Sequence, residues 1–408
     1  MTLSSVFGRQ ARPFWHTWLA LLILPSSLPA ESHRLWIRGA VVNTEIPAVV
    51  PSPAEVAPGT YLFVSEQGEE PFAVQVFRDA GETWLAMILP PSRGQATARQ
   101  GRLVPSTQTD GDQAVTIVPK GENLGIFLDG QLFTEYRVDV GSKPFLDRLV
   151  GPTGASYTRA YPMREVAGED RDHPHQRSFW FTHGDVDGVD FWSEQGNHGR
   201  IRERSRDTIE SGPVVGRLRT TNEWVAPDGR IVLLDQRVLT IYRYHTRRYV
   251  DFEIELRAPS KAVTVGDTKE GMFGLRVASS MDVDKKTGGR ILNAEGRRDT
   301  EAWGQASPWV DYSGPVDGRM VGITVLNHPT SFRHPTTWHV RGYGLFAANP
   351  FGWRDFGLKQ AGEYRLQPDE VLRLRYRIVL HDGEGDPKET AALYKAYADP
   401  PVIELVAP

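Results

Sequence analysis

Several stretches of the chain alternate apolar and polar residues with a period of two. Val250, Phe252, Ile254 and Leu256 alternate with Asp251, Glu253, Glu255 and Arg257, and Leu372, Leu374, Tyr376, Ile378 and Leu380 alternate with Arg373, Arg375 and Arg377. Successive side chains of a strand point to opposite faces, so each pattern predicts a strand with one buried side. The Arg373 to Arg377 series reads as the solvated face of an antiparallel sheet. Pro227-Asp228-Gly229 joins two further apolar runs as a hairpin turn. Phe179, Phe181 and His183 share one parity and Ser178, Trp180 and Thr182 the other, which predicts a strand ending at Gly184. A single helix is predicted: Asp386 as N-cap, Pro387 at the first position and Glu389 at the third form a capping box before Ala391 to Tyr397.

The spacing of these elements divides the chain. Residues 31–108 hold short apolar runs (Trp36 to Val42, Tyr61 to Val64, Phe72 to Phe77, Thr83 to Leu89) broken by proline and glycine, which predicts a small N-terminal β module. The polar, turn-rich segment from Pro105 to Asp112 marks its exit. Longer antiparallel strands and few helices over residues 109–408 predict a mainly β fold, a large antiparallel β-sandwich with one C-terminal helix. Residues 1–30 read as a secretory signal peptide: Arg9 and Arg12 precede an apolar run from Trp18 to Leu24, and Ala30 is a cleavage point. That run is too short to cross a bilayer, which needs about 20 apolar residues. A secreted or periplasmic protein is expected, without membrane insertion after cleavage; an uncleaved N-terminal anchor is the alternative.

Composition narrows the chemistry. With 40% hydrophobic and 24% charged residues the 408-residue chain is of ordinary globular composition. Its net charge is −4, and losing Arg9 and Arg12 with the leader would make it −6, which argues against nucleic acid or anionic membrane as a partner. No cysteine is present, so disulfides, thiol nucleophiles and thiolate metal sites are excluded. Candidate chemistry concentrates in Asp170 to His198, which carries His173, His175, His183 and His198 among several aspartates and two tryptophans. A residue before proline is pushed out of the right-handed helical region, so His173 is expected to be extended and to share a side with His175; His183 and Asp185 fall at the end of the next strand. His328 and His334 also precede prolines, and Arg333, Trp338 and His339 follow closely. Lys269 to Arg276 places Glu270 and Arg276 at a loop-to-strand entry, and Trp303, Trp309 and Asp311 set carboxylates beside tryptophans. The His-rich stretches are expected to converge on one pocket.

Four blocks, DHPHQRSFWFTHGDVDGVDFW, KEGMFGLRVA, AWGQASPWVDYSGPVDG and HPTSFRHPTTWHVRGYGLFAANPFG, resemble the signature blocks of the PmoA-like family of secreted bacterial proteins, and the resemblance spans roughly residues 120–380. The methane oxygenase label attached to that family does not suit this chain, because a membrane monooxygenase subunit needs several spanning helices. The architecture implied is similar to the galactose-mutarotase-like supersandwich, whose members epimerise, cleave or bind sugars. There a histidine pair and a carboxylate flank the sugar ring, which implies His173, His175 or His183 together with Glu270. Gln176 stands where that family would show a third histidine.

A carbohydrate or glycoside substrate is therefore expected, with a histidine (His173, His175, His183 or His334) and a carboxylate (Glu270 or Asp185) as general acid and base. Trp303, Trp309 and Trp338 would stack on sugar rings, with Arg276, Arg333 and His339 as polar contacts. No cofactor is required by this reading. Two alternatives remain open: an enzyme using a divalent, zinc-like metal held by His173, His175 and His334, and a non-catalytic carbohydrate-binding protein.

Overall fold

The computed structural model describes residues 33–39, 44–91, 98–106 and 114–406, so the leader-like segment lies outside the described residues. Two eight-stranded antiparallel sheets form a sandwich among the described residues. The first runs in the order Trp338–Val340, Leu345–Ala348, Gly271–Arg276, Phe179–His183, Phe145–Asp147, Gln131–Arg137, Asn123–Leu128 and Val115–Lys120. The second runs Arg200–Glu210, Val215–Val225, Ile231–Tyr242, Arg247–Arg257, Leu372–Asp382, Arg319–Asn327, Trp309–Val316 and Arg290–Asn293.

The alternation read from the sequence sets which side of each strand is buried. Phe179, Phe181 and Phe273 from the first sheet share one core with Phe252, Ile254 and Tyr376 from the second. The rings interlock across the gap: Phe179 meets Phe252 edge-on at 5.0 Å and Phe273 lies 4.8 Å from Tyr376. This sheet-on-sheet packing is the mainly β sandwich expected from the pattern. The hairpin at Pro227 to Gly229 joins Val215–Val225 to Ile231–Tyr242. The helix spans Pro387–Ala398, with the Asp386 carboxylate accepting from the Lys388 and Glu389 amides.

The N-terminal strands form a third sheet whose edge is closed by the far end of the chain: Val402–Leu405 pairs with His33–Arg38, giving seven strands among the described residues. No sequence pattern pointed to that closure, because pairing across the whole chain length leaves no local mark. This sheet and the helix cover the outer face of the sandwich's second sheet. Phe77 and Ala86 join Tyr242, Trp309, Leu326 and Leu393 in one apolar cluster. Asp79 receives Arg217 and Arg219, Glu45 receives Arg247 and Tyr249, and the Gln75 side chain accepts the Val214 and Val215 amides. The arginine stripe is thus not simply solvated: Arg377 is 4% exposed, because the N-terminal sheet and helix lie over the half of the stripe nearest them. Among the described residues no helix is long and apolar enough to cross a membrane.

Candidate functional site

The outward face of the first sheet is covered by loops rather than by a further sheet, and it carries the densest chemistry. Trp180 points outward between the inward-facing Phe179 and Phe181, and packs with Phe145, Trp192, Leu345 and Ala347 in a cluster of its own. Gly274 on the neighbouring strand makes this possible, since a Cβ there would lie 2.5 Å from the Trp180 indole. On this apolar bed rests the loop that holds Asp172, His173, His175 and Gln176.

His173 is not extended. Its φ is +43°, in the left-handed region, and its carbonyl accepts the Gln176 amide at 2.9 Å, closing a turn over Pro174. Proline excludes only the right-handed region for its predecessor; here buried Arg159 decides the alternative by donating to the His173 and Gln176 carbonyls at 3.0 and 3.3 Å. A left-handed non-glycine residue costs about 1–3 kcal/mol, and such positions cluster where function constrains the backbone. The turn still brings the His173 and His175 rings together, 5.7 Å apart and edge-on.

His173 Nδ1 lies 2.6 Å from Asp172 Oδ2. The other carboxylate oxygen of Asp172 accepts from Arg276 at 2.7 Å and from Arg159. Arg276 also donates to the Gln176 side chain at 2.5 Å. Both guanidiniums are essentially buried, whereas His173 and Asp172 side chains are 43% and 40% exposed. Burial pushes the Asp172 carboxyl up, but Arg276, the His173 ring and Arg159 more than reverse this and hold it well below the usual carboxylate range. A carboxylate accepts only, so Nδ1 donates and the basic lone pair sits on Nε2, which has no protein partner among the described residues. The Gln176 side chain serves as an acceptor for Arg276.

The surface continues away from His173. Tyr343 stacks nearly parallel to its ring at 5.3 Å and covers the Arg276 guanidinium at 4.8 Å. Arg341 lies 5.7 Å from the ring centres of both Tyr343 and Trp303. Trp303 meets His339 edge-on at 6.5 Å, and His339 donates through Nδ1 to the Lys269 carbonyl at 2.9 Å. Lys269 pairs with Glu270 at 3.1 Å, both partly exposed. Behind His175 lie Trp192, buried Lys143 and Glu194. Burial lowers Lys143 to about 8 despite its 2.5 Å contact with Glu194, and burial with the Lys143 charge lowers His175 to about 4. His175 and His339, the latter also lowered to about 4 by burial, are therefore neutral at neutral pH.

Of the expected site residues, His173, His175, Glu270, Arg276, Trp303 and His339 fall on this one surface. The others do not. His183 is fully buried at the core's edge, bonded to the Gly266 carbonyl and lowered to about 4 by burial. Asp185 accepts the Gly188 amide at 2.9 Å and shapes a turn. Trp309 joins the cluster under the N-terminal sheet, and Trp338 lies in the main core with its indole bonded to the Ser307 carbonyl. Arg333 ties the Pro350, Gly362 and Glu363 carbonyls together over Trp353. His334 sits between Asn327 and Tyr394 of the helix, bonded to both. The expected convergence of all His-rich stretches on one pocket is corrected accordingly: His328 and His334 approach the helix, and Tyr343 approaches His173. Among the described residues no three His, Asp or Glu side chains group as a metal-ligand set, and His173, His175 and His334 are not brought together as one.

Sequence reasoning passed over Asp172, Arg159, Arg341 and Lys143. For Asp172 a signal existed, since it adjoins His173 in the richest stretch. Arg159 and Lys143 carry no local mark; only folding makes them neighbours of the loop.

Residues 124–395 match the model of a protein family of unknown function, DUF6807. The chain belongs to this family. No curated protein matches the chain. Among solved structures, an α-mannosidase from Enterococcus faecalis V583 is 12% identical with a TM-score of 0.43, covering 92% of this chain and 46% of that one. A family 38 glycosyl hydrolase protein from Enterococcus faecalis is 11% identical with a TM-score of 0.39, covering 93% and 48%. A family 36 α-galactosidase from Geobacillus stearothermophilus is 10% identical with a TM-score of 0.36, covering 66% and 41%. The chain thus spans about half the length of these structures or less, and at such scores the likeness does not establish a common fold.

Proposed function

We propose that this DUF6807 protein acts on a carbohydrate or glycoside at the surface around His173, by general acid–base chemistry of the epimerase, hydrolase or lyase type. The observation that carries the reading is the Asp172–His173 pair, locked by Arg159 and Arg276 with the imidazole at the surface. Imidazole is the side-chain group whose ordinary titration brackets neutral pH. An ionised carboxylate on Nδ1 fixes the tautomer and stabilises the imidazolium formed when Nε2 takes a proton. Glu270 supplies a carboxylate on the same surface. Tyr343 and Trp303 offer ring faces for the apolar side of a sugar, and Arg341 between them offers donors for its hydroxyls.

The test is incubation with a panel of oligosaccharides and oxidised sugars, read by mass spectrometry, with wild-type protein, His173→Ala and Asp172→Asn. Turnover of one class by the wild type and a loss of about 10²–10⁴-fold on His173→Ala are expected. Binding without turnover would make the protein a carbohydrate binder. Turnover unchanged in both variants would remove His173 from the chemistry.

A further inference from the structure

The covered face of the second sheet encloses a cavity of about 220 Å³ between the sandwich, the N-terminal sheet and the helix. Strand register builds its floor in rows. Arg217, Thr240, Asp251 and Arg377 stand opposite one another across four strands, and Arg219, Val238, Glu253 and Arg375 form the next row. Gln236 and Glu255 begin a third. Trp84 from the N-terminal sheet and Tyr397 from the helix close the other side.

Two features point to an occupant. Trp84 Nε1 and Tyr397 Oη are buried and have no hydrogen-bond partner among the described residues. Buried indole N–H and phenol O–H groups ordinarily find a partner, and a hydrogen-bonding molecule held in this one cavity, water included, would satisfy both. Secondly, the four lining arginines, Arg217, Arg219, Arg375 and Arg377, are matched in number by four carboxylates, Asp251, Glu253 and Glu255 in the lining and Asp79 behind it. Arg217 and Arg219 are held by Asp79, Arg377 by Asp251 at 2.6 Å, and Arg375 by Glu253 in an ion pair at 3.1 Å that lacks hydrogen-bond alignment. An anion would compete with carboxylates already in place, and a cation with guanidiniums. A neutral molecule with many hydroxyls meets both as acceptor and donor without displacing either. The volume lies below the ~300–1,000 Å³ of drug-sized ligand sites and equals about seven waters at ~30 Å³ each, which suits one sugar ring and excludes an oligosaccharide. Glu253 and Arg375 are about a third exposed, so this rim opens to solvent.

We propose that this cavity is a binding site for a single neutral monosaccharide, separate from the His173 surface on the opposite face of the sandwich. The site holds its ligand between the charged rows and the Trp84–Tyr397 wall, and it is independent of the chemistry proposed for His173.

Calorimetric titration of the whole protein with D-glucose and D-galactose, and with sodium sulfate as the charged comparison, tests this. Saturable binding of a hexose is expected, weakened about tenfold by Tyr397→Phe or Trp84→Phe, each of which removes one hydrogen-bonding group, and unchanged by His173→Ala. Sulfate binding in place of a hexose, no saturable binding, or binding lost with His173→Ala would overturn it. Because a wall substitution can loosen the helix, a crystal of the wild-type protein soaked in the hexose gives a second measure. Sugar density in the cavity supports the site, and water alone there refutes it.

Discussion

The two outer faces of the sandwich put converging arginines to different uses. On the first, two buried guanidiniums converge on the single carboxylate of Asp172 and leave one imidazole at the surface. On the second, each of two rows sets two arginines against one carboxylate, and Asp79 of the N-terminal sheet comes in to hold the arginines left over, Arg217 and Arg219. Convergence beside an exposed imidazole fixes its tautomer; convergence on Asp79 ties the N-terminal sheet to the sandwich. The source of the carboxylate, more than residue type or burial, separates the two outcomes, since both faces draw on buried Arg and on Asp.

Substitutions within the charged rows grade this contrast. Arg377→Leu would leave the nearly buried Asp251 unpaired and is expected to destabilise by about 3–5 kcal/mol in urea unfolding. A loss below 1 kcal/mol would mean that the N-terminal sheet does not exclude water there. Arg276→Leu is expected to cost less, about 2 kcal/mol, because Asp172 keeps Arg159 and is 40% exposed. It should also raise amide exchange across residues 171–176, a local readout that Arg377→Leu would not share. Arg375→Gln, whose pair is about a third exposed on both sides, is expected to cost under about 1 kcal/mol.

Titration separates the faces less sharply. His175, His183, His328 and His339 are each lowered to about 4, by burial first of all. Between about 4 and the unfolded value near 6.5 the unfolded chain binds more protons, so stability should fall as pH drops through that window. His381 runs the other way: burial lowers it, but its 2.8 Å contact with Asp311 more than compensates and raises it. Its contribution is complete below the unfolded value and is lost as pH rises through the folded one. Urea midpoints measured from pH 4 to 9 should show the acid-side loss, and His381→Asn should flatten the alkaline side alone. An unchanged alkaline slope in that variant would remove the Asp311 pair from the account.

Much of this was legible beforehand in particular residues. The alternation through Val250–Arg257 and Leu372–Arg377 declared two strands and their buried sides, and Asp386 with Pro387 declared the helix start, because these signals repeat or act within a few residues. The richest histidine stretch gave His173 and His175. The turn at His173 was misread because the proline rule removes one backbone region without choosing among the rest; Arg159 makes that choice from outside the segment.

What the sequence settled by itself is therefore local: period-two burial, the helix cap, the absence of thiol chemistry, and the chain's richest reserve of imidazoles. Tertiary structure alone decided what covers each face. It brought Arg276 to Asp172 across 104 positions and Arg217 to Asp79 across 138, and it sent His334 to the helix while His339 went to the Trp303 surface. The physical reason is that a charge's partner, and its share of water, belong to the neighbours that sheet pairing supplies, and those neighbours are remote in the chain.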